Sequence, residues 1–230
     1  MKKILISLGF LSIFLVGCSK SEITESKIIQ SDGIYNYYKG QANEKIESIT
    51  LTTQNGTVID GQVNGTEFMT SSPALLTNEK TLVVINFENG DILEENIDFP
   101  KRKSIDNYKD FAMKMNLFIS EINENAKTRF PESQSDGTSI ISLENNVTTN
   151  VNIQDGQIIG VNLSTTGDAN KEMATILAAF QTIYQSNNDG VAEAYNNTLE
   201  TKRTNSFSSG GFLFTFSYNG ENLFADIIKE

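Results

Sequence analysis

Four Asn-Gly or Asp-Gly pairs each lie between two runs of apolar or alternating residues. Such pairs favour the tight turns of β-hairpins, because Asn, Asp and Gly tolerate the positive φ angles that these turns require. Strand side chains alternate between the two faces of a sheet, so each turn also limits the register of its hairpin. The pairs are Asn55-Gly56, Asn89-Gly90, Asp155-Gly156 and Asn219-Gly220. The sequence therefore predicts a body built largely from antiparallel hairpins.

In the hairpins at Asn55-Gly56 and Asn89-Gly90, the predicted register is the one that keeps apolar residues on one face of the sheet. Three-residue loops pair Leu51 with Ile59 and Ile85 with Leu93. The run 82–85 is apolar at every position, which predicts a central strand buried on both faces.

The last two registers follow from the same rule. A three-residue loop at 154–156 pairs Val151 with Ile159, with Gly156 in the left-handed position of a type I turn with a bulge. A two-residue loop at 219–220 pairs Phe216 with Leu223. The stripe formed by Phe212, Phe214, Phe216 and Tyr218 is then expected to be core.

Apolar residues at three- and four-residue steps predict amphipathic helices. The first is expected to begin after an N-cap at Ser104 and to end near Asn123, and the second to follow a cap at Asp168. A shorter third helix would contain Val191, Tyr195 and Leu199. Together with the hairpins, these helices predict an α+β fold in which one or two antiparallel sheets carry helices on a face.

The element order suggests two units. Residues 34–128 would form one α+β subdomain of two hairpins and a helix, residues 138–230 a second of a hairpin, helices and a hairpin, and residues 129–137 a polar joint. A single continuous sheet remains an alternative.

The N-terminus carries a processing signal. Lys2-Lys3 precede an uncharged run from Ile4 to Phe14 and then Leu15-Val16-Gly17-Cys18, and Cys18 is the only cysteine of the chain. This arrangement, over residues 1–18 alone, resembles a bacterial lipoprotein signal peptide. The apolar run is too short for a spanning helix of about 20 residues. An ordinary secretory leader and an uncleaved anchor are the alternatives.

The resemblance implies that residues 1–17 are removed after recognition of Leu15, Val16 and Gly17, and that Cys18 is lipidated. Two acyl chains on its sulfur would attach the body to a membrane stably. The expected location is the cell membrane or outer membrane of a bacterium, with the body outside the cytoplasm. Residues 18–33 are polar enough to predict a flexible tether.

Composition restricts the chemistry. The chain contains no histidine, so the usual general base and the commonest metal ligand are missing. Loss of Lys2 and Lys3 changes the formal charge from −11 to −13, which argues against a nucleic-acid partner. No catalytic residue, metal ligand or cofactor is predicted, and the sequence identifies no ligand-binding residue.

Two local features are ambiguous from the sequence. Tyr35, Tyr37 and Tyr38 suit packing at a strand or domain edge, or contact with a glycan. The basic run 101–103 could touch lipid headgroups or an acidic partner, or lie in a solvated loop.

Three classes of function fit this composition. The favoured class is a membrane-anchored, non-catalytic interaction module that binds another envelope or exported protein; an immunity or inhibitor protein is one version. The alternatives are a carrier or sensor of a small apolar ligand held between helix and sheet, and a carboxylate-dependent hydrolase. An enclosed apolar cavity would favour the carrier, and two facing acids in one cleft would favour the hydrolase.

Overall fold

The computed structural model describes residues 20–30, 33–144, 146–166, 171–186 and 188–230. Within these ranges, fifteen strands form three antiparallel sheets, and three α-helices accompany them. The prediction of a largely antiparallel hairpin fold with additional helices is confirmed. No helix in the described ranges is both long enough and apolar enough to cross a membrane.

The N-terminal half contains two four-stranded sheets. The first sheet has the strand order β1 (Ile23–Ile29), β2 (Tyr35–Ala42), β6 (Glu67–Pro73), β5 (Gln62–Asn64). The second sheet has the order β4 (Val58–Asp60), β3 (Ile46–Thr52), β7 (Glu79–Phe87), β8 (Ile92–Phe99). Buried side chains from both sheets form the first core, which includes Tyr38, Phe68, Leu51, Val83 and Phe87.

Gly61 joins these two sheets. It lies between β4 of the second sheet and β5 of the first. A Cβ atom at Gly61 would lie 2.6 Å from Ile49 Cγ2 and 2.7 Å from the Met69 carbonyl oxygen. Only glycine therefore fits where the chain passes from one sheet to the other.

The C-terminal half contains the large sheet and the helices. The strand order is β10 (Gly137–Glu144), β11 (Val147–Gln154), β12 (Gln157–Thr166), β15 (Asn222–Lys229), β14 (Phe212–Asn219), β13 (Asn205–Ser209), and the short β9 (Asp106–Asn107) pairs with the start of β12. The helices are α1 (Tyr108–Ile122), α2 (Lys171–Tyr184) and α3 (Asn188–Thr201).

Side chains of all three helices and of the large sheet share the second core. Phe180 of α2 lies at its centre, with ring centroids 5.2 Å from Phe212 and 5.8 Å from Phe214. Phe111 of α1 meets Phe180 and Phe130 edge-on. The expectation that the aromatic stripe of β14 is core is confirmed for Phe212, Phe214 and Phe216, all of which are buried.

Two predicted registers are confirmed and two are wrong. Leu51 pairs with Ile59, and Ile85 pairs with Leu93, as predicted. Val151 pairs with Val161 instead of Ile159, because Asp155 and Gly156, both at positive φ, form a two-residue turn and a bulge follows in β12.

The last hairpin is shifted by two residues. Phe216 pairs with Ala225 instead of Leu223, because Gly220 and Glu221 form the turn in place of Asn219 and Gly220. In this last hairpin the error of two residues leaves each side chain on its predicted face, whereas the bulge in β12 puts Ile158 into the second core in place of Ile159.

The central position of β7 between β3 and β8 is confirmed. Its burial on both faces is wrong: Val83 and Ile85 are buried, but Leu82 and Val84 are only half-buried. The second face of this strand is therefore not enclosed.

The expected tether contains a strand. Residues Ile23–Ile29 form β1, which pairs with β2, and Ile23 packs against the first core. Hydrogen bonds to the edge of an existing sheet order this segment, although its polar composition alone would not.

The first helix begins later than predicted. Asn107 is its N-cap, with its side-chain oxygen accepting from the Lys109 amide, in place of Ser104. The residues between Ser104 and the helix instead pair with β12, where the Ile105 amide donates to Ile158 O. The cap predicted at Asp168 lies outside the described residues.

The predicted division into units at 129–137 stays a prediction. The helix α1, which the sequence assigned to the unit 34–128, contributes its buried residues to the second core.

Candidate functional site

The residues predicted to direct lipidation, Leu15, Val16, Gly17 and Cys18, lie outside the described residues. Lipidation at Cys18 therefore stays a prediction. Within the described residues, the candidate site lies on one surface of the large sheet.

One row of residues crosses the large sheet in direct register, one from each of six neighbouring strands. The row is Ile140, Asn150, Asn162, Asp226, Thr215, Ser206. At a strand spacing of about 4.8 Å, it is roughly 24 Å wide. The flanking residues Val151, Val161 and Ala225 belong to the second core. Because side chains alternate along a strand, the row lies on the opposite face, here called the polar face.

Hydrogen bonds along this row fix the orientation of its amides. The Asn150 amide donates to Asn162 Oδ1 at 3.2 Å, and Asn162 donates to Asp226 Oδ1 at 2.7 Å. A carboxylate only accepts, so Asn162 must turn its NH₂ group toward Asp226 and its oxygen toward Asn150. The side chains of Asn150, Asn162 and Asp226 are thus held in one arrangement.

A groove of about 560 Å³ lies over the polar face. The row contributes Ile140, Asn150, Asn162 and Asp226 to its lining, and Tyr35 and Tyr37 of β2 contribute two aromatic rings with centroids 6.3 Å apart. Phe224 adds a third ring. Thr138, Ser139 and Ser217 also line it. We call this the tyrosine groove.

Two glycines allow the N-terminal half to approach the polar face this closely. A Cβ atom at Gly160 would lie 1.8 Å from the Gly33 carbonyl oxygen, so only a glycine fits at this crossing. Beside it, the buried Asn152 amide donates to Ile34 O at 3.1 Å and to Ala74 O at 2.8 Å. These contacts place the strand that follows, β2, along the groove.

Arg102 holds the same junction from the other side. Its side chain is buried, and Nε donates to Asn36 Oδ1 at 3.1 Å. Its terminal nitrogens donate to the carbonyl oxygens of Gln30 and Tyr35. Contact of the basic run 101–103 with headgroups is therefore wrong for Arg102, although Lys101 and Lys103 are exposed.

A second groove, of about 550 Å³, lies further along β2. Lys39 and Gln41 follow Tyr35 and Tyr37 at two-residue steps, so all four side chains project from the same face of the strand. Lys39 and Gln41 line the second groove with Glu25, Lys27 and Glu67. The outward face of β2 thus connects the two grooves.

Tyr38 projects to the opposite side of β2 and packs in the first core, not at the strand or domain edge that was expected. Its ring is buried at 5.4 Å from Phe68, and its hydroxyl donates to Glu95 at 2.6 Å. Burial, assisted by this bond to Glu95, raises the pKa of Tyr38 well above its usual value. Tyr38 is therefore a neutral structural residue.

A second titratable cluster joins α1 to α2. Asp106 Oδ2 accepts from Lys114 Nζ at 2.6 Å and from the Tyr184 hydroxyl at 3.0 Å. Burial raises the pKa of Asp106, but the bonds from Lys114 and Tyr184 outweigh it and leave that pKa below its usual value. These bonds link β9 to both helices, and none of the three residues lines the tyrosine groove.

Sequence reasoning identified Tyr35 and Tyr37 but missed Asn150, Asn162 and Asp226. A signal was present, because Asn150 and Asn152 alternate with the apolar residues Val151 and Ile153 in β11. An alternating strand has a polar face as well as a core face.

The tyrosine groove can form hydrogen bonds and stack against planar groups. Its described lining contains one carboxylate and no cation. Among the described residues, no cluster of three or more acidic or cysteine side chains could hold a metal ion. No protein-family model matches the chain, and no curated protein matches it.

Proposed function

We propose that this chain is a lipid-anchored protein of the bacterial envelope that binds another exported or envelope protein without catalysis. The anchor would be Cys18, and the binding surface would be the tyrosine groove. The observation that supports the proposal most is the composition of that groove, in which tyrosine, asparagine, serine and threonine predominate.

This combination of residues is typical of protein-recognition surfaces. Tyrosine supplies a large, rigid, amphipathic contact area and loses little conformational entropy on binding. Asparagine and serine supply hydrogen bonds that suit many backbone geometries. The fixed orientation of Asn150 and Asn162 lowers the cost of ordering the surface.

In this proposal, the helices cover the core face of the large sheet and leave its polar face open. The shared second core supports this arrangement, since Phe111, Phe180 and Phe214 fill the space where a carrier would hold its ligand. Both described grooves open to solvent instead. This supports surface binding over transport of an apolar ligand.

Site-specific cross-linking tests the binding surface. A photoreactive phenylalanine analogue replaces Tyr37 in the full-length protein, within the bacterium that produces it. The control carries the analogue at Met113, an exposed residue of α1. We expect one exported protein to be captured at Tyr37 only, and the purified pair to lose affinity with Tyr37→Ala. Equal capture at both positions, or capture of lipid alone, contradicts the proposal.

The anchor has a separate test. Labelled fatty acid should enter the wild-type protein but not Cys18→Ser, because serine has no thiol to form the thioether. Equal labelling of the two proteins would refute the anchor while leaving the binding surface to be judged by the cross-linking experiment.

A further inference from the structure

β10 occupies one end of the large sheet. In the described part of the chain it pairs with β11 alone. One side of the strand Gly137–Glu144 therefore presents backbone N–H and C=O groups that no neighbouring strand satisfies. Such an edge is a template for another extended chain.

Proteins usually protect their sheet edges with charge, short length or a covering element. The other edges in the described residues show these features. β1 carries Glu25 and Lys27, and β8 carries Glu94, Glu95 and Asp98. β4 and β5 have three residues each, and β13 lies against α3.

β10 differs from all of these edges. It has eight residues, and its first seven, Gly-Thr-Ser-Ile-Ile-Ser-Leu, are uncharged. Threonine and isoleucine favour extended backbone. A bulge at Ile141 interrupts its pairing with β11, and the stretch before the bulge, residues 137–140, is regular. The strand therefore has the length and composition to accept a partner strand.

This edge forms one wall of the tyrosine groove. Thr138, Ser139 and Ile140 line the groove, and the Ile140 side chain is 65% exposed. A segment paired with β10 would direct every second side chain toward the polar face and would cover Ile140.

We infer that the partner binds by adding an extended, uncharged segment to β10, with basic residues at the ends of that segment. The inference rests on the proposed protein-binding function and gives it a binding mode. The backbone of β10 would provide affinity, and the groove would select the alternate side chains.

Charge complementarity defines this occupant. Asp136, whose carboxylate accepts from the Asp155 and Gly156 amides, precedes the uncharged stretch and Glu144 ends it, while Asp226 lies in the groove. Acidic residues at both ends favour basic flanks in the partner. Two copies of β10 paired antiparallel would instead bring Glu144 of one copy toward Asp136 of the other, which disfavours self-association through this edge.

Selection from a phage-displayed library of random 12-residue peptides tests the inference on the full-length protein in detergent. We expect enriched peptides with β-branched, uncharged centres and basic ends. Methylation of alternate backbone nitrogens should weaken each synthetic peptide by roughly tenfold or more, because it removes main-chain donors and keeps every side chain. Hydrogen exchange at residues 137–141 should slow in the complex.

A matched pair of variants locates the site. Ile140→Lys places a charge on β10, and Ile92→Lys places the same charge on β8, where Ile92 is 64% exposed. Ile140→Lys should reduce peptide binding roughly tenfold or more, and Ile92→Lys should leave it unchanged. Both positions are exposed, so both variants should fold.

Several outcomes would overturn the inference. These are a library that yields no binder, peptides whose affinity survives both N-methylation and Ile140→Lys, and a dimer in solution that Ile140→Lys abolishes. If the analogue at Tyr37 still captures an exported protein, and Ile140→Lys does not change the affinity for that protein, strand addition is wrong and the proposed function stands. If Tyr37 captures no protein, the proposed function itself fails.

Discussion

The two halves of the molecule use their sheets differently. In the N-terminal half, two sheets contribute their apolar side chains to one core between them. In the C-terminal half, the large sheet contributes one set of side chains to the second core and carries Asn150, Asn162 and Asp226 on its other face. The comparison shows how a side-chain period of two creates a polar surface, since a sheet buried on one face displays polar groups on the other.

The junction between the halves completes that surface. Residues 33–37 cross the large sheet at Gly160, and Arg102 and Asn152 bind the crossing backbone. The N-terminal half therefore contributes the tyrosines, and the C-terminal half contributes the ordered amides.

Truncation of each core should produce the largest effects. Phe87→Ala in the first core and Phe180→Ala in the second each remove a fully buried ring. Each should lower the free energy of unfolding by about 3–5 kcal/mol, measured by urea denaturation. Hydrogen exchange should increase most in the half that carries the change. A loss below about 1 kcal/mol at either position would contradict the assignment of that core.

Removal of the Arg102 side chain should have the next largest effect on stability. Arg102→Ala eliminates several charge-assisted hydrogen bonds from a buried side chain and should cost about 2–3 kcal/mol. Unfolding should then separate into two transitions, one for each half. Arg102→Lys should rescue it only in part, because lysine lacks the planar fork. Lys101→Ala, at an exposed position, is the control and should change little.

Structural features set by residues close together in the chain were predictable from the sequence, whereas features set by residues far apart in the chain were not. Local turn chemistry gave the correct faces of three hairpins, and the wrong register of the last one differs by an even number of residues. In the hairpin at Asp155-Gly156, the bulge in β12 puts Ile158 into the second core in place of Ile159. Turn chemistry also missed the turn at Gly65-Thr66, which begins with another Asn-Gly pair, Asn64-Gly65, and joins β5 to β6.

The tyrosine groove was not predictable in the same way. Tyr35 and Asn162 are separated by more than a hundred residues, and the crossing of Gly33 over Gly160 brings their strands together. Neither periodicity nor turn chemistry carries information about such a contact. Tyr35 and Tyr37 could be selected as candidates, but their polar partners required the sheet order.

The carboxylate that joins α1 to α2 should have a smaller, pH-dependent effect. The lowered pKa of Asp106 means that its stabilising contribution is present above the unfolded value of about 3.9 and is lost as the pH falls through the folded value. Asp106→Asn should therefore cost about 1 kcal/mol at pH 7, and the difference from wild type should close in acid.

Thermal unfolding from pH 7 to pH 2 measures this difference. Asp60→Asn, at an exposed position in the N-terminal half, is the control and should follow wild type throughout. A difference between Asp106→Asn and wild type that persists unchanged in strong acid would contradict the assigned role of Asp106.

The smallest effect is expected at the start of the described chain. Asp91 accepts from the Ser21 hydroxyl at 2.7 Å and from its amide at 3.2 Å, and these bonds lower the pKa of Asp91. Asp91→Asn should speed hydrogen exchange near Ser21 and Ile23 and shift the melting temperature by no more than about 1 °C. Glu94→Gln, also exposed, should leave that exchange unchanged. Unaltered exchange in Asp91→Asn would show that these bonds do not hold the segment.

The affinity of the captured partner for two Asn→Lys variants tests most directly whether the polar face is the binding surface. Asn162→Lys fills the tyrosine groove, whereas Asn125→Lys adds the same charge at an exposed position after α1. We predict that Asn162→Lys raises the Kd of the purified pair by roughly tenfold or more, and that Asn125→Lys leaves it unchanged. Equal affinities for wild type and a folded Asn162→Lys protein would contradict the assignment of this face.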